Sequence, residues 1–178
     1  MNARTRDMCI IALMTALICV VGPNTIPIGP IPVTLANFMI YLTGALLGRK
    51  KGTAAVALYL LIGLIGLPVF SGYTGGFGKL VSPTFGYLLG DIPCVFIVGY
   101  ALDKLDGKPW AYPLMMVLGT AVLYTLGTVW YSCVSGNTIA AALSVCVVPF
   151  IALDLAKMAC ASVLAVLLRR PLEMVTAR

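Results

Sequence analysis

The chain has 178 residues, 61% of them hydrophobic and only 10% charged, with a formal net charge of +6 and a mean hydropathy of +1.03. A soluble domain carries about 25% charged residues, so this composition excludes one and leaves an integral membrane protein with room for about six spans of ~20 residues. The basic residues form no clustered surface with interleaved aromatics, which excludes a nucleic-acid interface.

Arg4 and Arg6 precede an apolar run that ends at Gly22-Pro23-Asn24. No small-x-small cleavage site closes it, and Ile18 before Cys19 argues against a lipoprotein signal. It is therefore expected to be the first span, over 8–22. Thr25–Pro32 holds Pro27, Gly29, Pro30 and Pro32 and cannot be a regular helix. It is also apolar, so it is expected to pack over the protein. A second span follows over 33–48, then the basic turn Arg49-Lys50-Lys51-Gly52, then a third span over 53–67 stopped by Pro68. The next stretch contains Gly72, Gly75, Gly76 and Gly78, a backbone free to adopt positive φ and to approach a ligand closely. Phe70, Tyr73 and Phe77 around it are pocket-type side chains, which favours a binding loop over a flexible linker.

A fourth span over 84–102 contains Asp91, and a polar turn at 103–109 leads into a fifth over 110–131. Trp110, Trp130 and Tyr131 at the ends of that fifth span match an aromatic belt. The sixth span is expected over 144–168, with Pro149 opening its regular part. The fold class expected is thus all-α, six transmembrane helices in a single membrane domain over 1–178, with no internal repeat. Five small-xxx-small pairs, Ala12/Ala16, Gly44/Gly48, Gly86/Gly90, Ala152/Ala156 and Ala161/Ala165, suit close helix packing within the chain.

Lysine and arginine placement sets the orientation. With both termini cytoplasmic, the inner side holds ten basic residues: Arg4, Arg6, Arg49, Lys50, Lys51, Lys104, Lys108, Arg169, Arg170 and Arg178. The outer side then holds Lys79 alone, and Lys157 lies in a span. The proline-rich and glycine-rich loops both face outward in this arrangement.

Two charges interrupt the sixth span, Asp154 and Lys157. A charge at membrane depth costs at least ~2.5–3.5 kcal/mol on insertion scales. Three residues apart, they share one helix face within pairing reach. They lie ~18 Å above the inner Arg169/Arg170 anchor, toward the two loops. The reading preferred is that they line a polar cavity and grip a solute; the alternative is a structural ion pair between helices.

Other chemistry is excluded residue by residue. There is no histidine to serve as a base for an intramembrane serine. Asp91 and Asp154 do not suit a shared-proton dyad, because Lys157 beside Asp154 holds it ionised. Cys9, Cys19, Cys94, Cys133, Cys146 and Cys160 form no C-x-x-C and are expected to be small buried hydrophobes, so neither metal nor cofactor is expected. Without a G-x-x-x-x-G-K-[ST] loop, any ATP-driven transport needs a partner that hydrolyses the ATP.

Several segments carry a family resemblance: Ile31-Pro32-Val33-Thr34-Leu35, Leu42-Thr43-Gly44-Ala45-Leu46-Leu47-Gly48, Gly66-Leu67-Pro68-Val69-Phe70, Ser82-Pro83-Thr84-Phe85-Gly86-Tyr87 and Asp154-x-x-Lys157. Over nearly the whole chain it resembles the BioY family, the biotin-specific S components of energy-coupling-factor (ECF) transporters. The resemblance implies a multi-pass subunit of a bacterial or archaeal cytoplasmic membrane that captures biotin from outside. An ECF module, one transmembrane T component and two ATPases, would drive release inward, and Ala12 and Ala16 would dock the T component. Departures stand at Ala36-Asn37, where glutamine commonly follows Pro-Val-Thr-Leu, at Phe85, where glycine is usual, and at Asp91, where an apolar residue is usual. The substrate-binding set implied is Asp154, Lys157, Lys79, Tyr87, Tyr41, Phe70 and Ser71. In it Asp154 and Lys157 complement biotin's ureido ring, aromatic rings cover its apolar faces and Lys79 attracts its carboxylate. Two other readings are kept: an S component for a different vitamin, and a non-transporting membrane assembly subunit.

Overall fold

The computed structural model describes residues 3–26 and 32–176. The proline-rich stretch expected to pack over the protein falls mostly at 27–31, outside the described residues. Helix α1, Ala3–Val21, ends at the Gly22-Pro23 break, where the proline ring cannot continue the hydrogen-bond ladder. Two short strands, β1 Thr25–Ile26 and β2 Val33–Thr34, pair antiparallel, Thr25 opposite Thr34 and Ile26 opposite Val33. They lie beside the start of α2. The Thr34 hydroxyl accepts from the Ala36 N–H at 2.8 Å, which fixes where that helix begins.

Helix α2, Ala36–Ile65, contains both the second and third expected spans. Its ladder is broken at Gly48, which has φ 75° and ψ −177°. A Cβ built on Gly52 would stand 3.3 Å from the Cα of Gly44, whereas residues eight apart in an unbroken helix are ~12 Å apart. The chain therefore turns back at Gly48, and 36–47 packs against 49–65. The expected loop at 49–52 is instead the first turn of the returning arm. Only glycine tolerates this: its φ is left-handed, and any Cβ would collide with the Asp103 carboxylate.

The glycine-rich stretch contains one short 3-10 turn, Phe77–Val81. Gly72 and Gly76 adopt the positive φ expected of them, at 70° and 90°. Helix α3, Phe85–Lys104, and helix α4, Ala111–Ser135, complete the centre of the bundle. The last expected span needs a correction. Residues 144–146 belong to a separate short helix, α5 Ile139–Cys146, and the spanning helix α6 begins at Ile151 and runs to Thr176. Thr138 caps α5 through its hydroxyl, and Pro149 lies in the turn between the two helices. Helices α3, α4 and residues Ile151–Arg169 of α6 are long and apolar enough to cross a membrane. In α1 and the arms of α2 the apolar stretch is shorter, bounded by Arg4–Asp7 and by Arg49–Lys51.

The core lies where the arms of α2, α3 and α4 meet, around Ile40, Tyr41, Tyr59, Val95, Val98, Tyr112 and Met116. Small residues make the contacts expected of them at Gly44, which meets Val95 and Val98, at Gly86, which meets Trp130, and at the buried Ala161 and Ala165. Ala12, Ala16, Ala152 and Ala156 instead face outward. Cys9, Cys133 and Cys160 are exposed too, contrary to expectation; only Cys94 is fully buried among the described cysteines. In a membrane protein the apolar outer face meets lipid, so a small hydrophobe gains nothing by burial in the bundle.

One end of the bundle gathers the basic segments. Lys51 pairs with Asp7 at 2.6 Å and Arg49 with Asp103 at 3.1 Å. The Arg49 guanidinium also lies 5.5 Å from the ring centre of Phe96 and 5.4 Å from that of Tyr100, and Arg169 donates to the Asp106 carbonyl. The start of α1, the turn in α2, the α3–α4 loop and the later part of α6 thus share that end. The β1–β2 strands, the glycine-rich loop and α5 lie at the other.

Candidate functional site

At that other end the helices enclose a cavity of about 670 Å³, its mouth included. Its most polar wall is the first two turns of α6. The α6 pair is formed, Lys157 Nζ donating to Asp154 Oδ1 at 2.8 Å. Tyr124 on α4 donates its hydroxyl to Asp154 Oδ2 at 2.6 Å. Lys157 donates a second time, to the Thr34 carbonyl at 2.8 Å, so β2 is tied to α6 through this ammonium. Asp154 is 2% exposed, and its place in the first turn of α6 sets it at the positive end of the helix dipole.

The hydrogen-bonding capacity left over is specific. An ammonium has three donors, and Lys157 spends two of them on protein; each oxygen of Asp154 accepts one bond and can accept another. One strong donor and two charged acceptor sites therefore remain for a ligand, side by side.

The other walls are mostly apolar. Phe70 is fully buried, its ring over Gly63 and edge-to-face with Tyr59 at 5.5 Å between centroids. Tyr87, on the first turn of α3, lies over Gly127, where any Cβ would run into its ring. Ser71 lines the cavity, and its hydroxyl oxygen is buried with no hydrogen-bond partner among the described residues. Lys79, on the 3-10 turn, also reaches the lining, and its partial burial pushes the ammonium pKa below the ordinary lysine value.

Six of the seven expected ligand residues thus border one cavity: Asp154, Lys157, Lys79, Tyr87, Phe70 and Ser71. The seventh, Tyr41, does not. It is fully buried in the core, its hydroxyl 2.6 Å from that of Thr120. Its position on the first arm of α2 turns it into the α4 interface, while Asn37, one turn earlier, lines the cavity. Sequence reasoning missed Asn37, Tyr59, Tyr124 and Phe150 as lining residues. Nothing local marks Tyr124, since its partner is 30 residues away on another helix. The expected docking pair, Ala12 and Ala16, lies remote from the cavity on the exposed face of α1.

Known proteins match the chain over most of its length. The chain is 41% identical over 158 residues to the biotin transporter BioY of Thermotoga maritima, covering 89% of this chain and 92% of that one. It is 33% identical over 162 residues to a probable biotin transporter BioY of Pyrococcus horikoshii, covering 91% and 95%. Its fold superposes with a TM-score of 0.88 on the solved S-component for biotin from an ECF-type ABC transporter, at 32% identity and over 95% and 93% of the two chains. The model of the BioY family matches residues 1–174, and the chain, an α-helical membrane protein with the ECF S-component fold, belongs to the BioY family.

Proposed function

We propose that this protein is the membrane subunit that captures biotin with high affinity from outside the cell for ATP-driven import by an ECF module. The observation that carries the reading is the Asp154–Lys157 pair at the wall of the cavity, with a donor and acceptors to spare. Biotin's ureido ring offers one strongly accepting carbonyl and N–H donors beside it. Lys157 answers the carbonyl and Asp154 an N–H, and charge-assisted bonds in a dry pocket are the strong kind. Phe70 and Tyr87 cover the apolar faces of the fused rings. Lys79, on the loop above, holds the carboxylate.

The chain performs no chemistry in this reading and carries no cofactor; two partner ATPases hydrolyse the ATP. A transmembrane T component docks on the exposed small residues of α1, Ala12 and Ala16. The protein sits in the cytoplasmic membrane with both termini inside. The gathering of Arg49, Lys51 and Arg169 at one end and the cavity at the other supports that orientation.

Mass spectrometry of the small molecule that copurifies with the protein from biotin-replete cells tests the reading. Biotin is the expected result. A different vitamin would make the chain an S component of other specificity. Absence of any ligand, together with no saturable nanomolar binding, would leave an assembly subunit.

A further inference from the structure

Asp91 has no part in the site as built so far. It lies on α3 about 9 Å along the axis from Phe85, and it is 4% exposed. It borders the same cavity as the α6 pair, next to Tyr59, yet among the described residues it makes no hydrogen bond and no ion pair. Of the equally buried helical threonines, Thr15, Thr43 and Thr120 each bond a backbone carbonyl at 2.7–3.1 Å, while the Thr128 hydroxyl, away from the cavity, has no partner among the described residues. Asp154 has two partners. A buried carboxyl without a partner is costly, and such groups are kept where something fills the gap. Since Asp91 faces a cavity, what fills the gap is what occupies that cavity, solvent in the free protein and a ligand in the bound one.

Its position relative to Asp154 matters. The two carboxyls are on separate helices, α3 and α6, and both line the cavity. They therefore border one space from two walls. A cyclic urea carries its two N–H bonds on opposite flanks of its carbonyl, so one wall cannot serve both. The α6 pair supplies a donor for the carbonyl and an acceptor for one N–H. We propose that Asp91 is a second ligand-binding residue, accepting a hydrogen bond from the other ureido N–H on the α3 wall. The inference rests on the reading that the cavity holds biotin, and it adds a specificity element: the ring is read from both sides, so an analogue lacking the second N–H is rejected.

The test is calorimetric titration of the full chain in detergent with biotin and with its two mono-N-methylated ureido analogues, alongside the thermal midpoint of the ligand-free protein. In Asp91→Leu the unpaired carboxyl is replaced by an apolar side chain, so the ligand-free midpoint stays level or rises. Biotin binds about 5- to 100-fold more weakly, the range for leaving a buried N–H without its acceptor. One methyl analogue, already weak on the parent protein, loses no further affinity in the variant. A folded Asp91→Leu protein with parental biotin affinity overturns the inference. Where that variant does not yield monodisperse protein, Asp91→Ala replaces it: it also removes every acceptor, the same weakening is expected, and parental affinity again overturns the idea. If the parent chain itself binds no biotin, the reading of the cavity falls first and the role of Asp91 falls with it.

Discussion

Replacing Asp154 by asparagine separates a ligand-gripping pair from a structural one. The side chain keeps its shape but loses its charge. Its remaining oxygen can still face Lys157 Nζ, now at 2.8 Å from Oδ1, and its new amide can face the Tyr124 hydroxyl, which turns to accept. The internal contacts are thus replaced one for one, and the helices stay joined. What disappears is the negative charge opposite Lys157 and the spare acceptor sites offered to the ligand. An acceptor that met an N–H in the parent now presents a donor to it. Disrupting one member of a buried charged pair costs ~2–5 kcal/mol, which is ~30- to several-thousand-fold in affinity. Calorimetry in detergent should therefore show biotin binding at least ~30-fold weaker, while pull-down by the T component and the thermal midpoint stay near parental values. Unchanged binding with a lowered midpoint would refute the reasoning and make Asp154–Lys157 a structural ion pair.

Tyr124→Phe removes the hydroxyl that orients Asp154 at 2.6 Å; biotin affinity should fall about 10-fold, and a change below two-fold would mean that the phenol does not position the carboxylate. Lys79→Ala should weaken binding of biotin more than of uncharged biotin amide, because Lys79 is a lone cation on the loop over the cavity; equal losses for both ligands count against a carboxylate contact. Ala12→Leu combined with Ala16→Leu puts bulk on the exposed face of α1, away from the cavity. Binding by the isolated chain should persist while uptake in cells with the partner module is abolished, and continued transport would show that the T component docks elsewhere.

The sequence by itself determined the membrane character and the all-helical architecture. Those follow from where long apolar runs are broken by charges and by Gly and Pro, a property of the chain that any tertiary arrangement must respect. It also singled out Asp154 and Lys157, because their cost inside a bilayer demands a reason whatever surrounds them. Gly48 was legible as a small residue beside a basic turn, but that the helix folds back at that glycine, with Arg49–Lys51 inside the returning arm, depends on Asp103 waiting across the bend. The tertiary structure alone decided which aromatics meet the cavity. On helical spacing Tyr41 and Tyr59 are equivalent polar-tipped rings on an apolar segment; the turn at Gly48 sends the first to Thr120 and the second to the cavity wall. It alone brought Tyr124 to Asp154 and left Asp91 facing the cavity without a partner among the described residues. Such pairings join side chains tens of residues apart, through helix rotations set by packing, and no local pattern of apolar and polar residues encodes them.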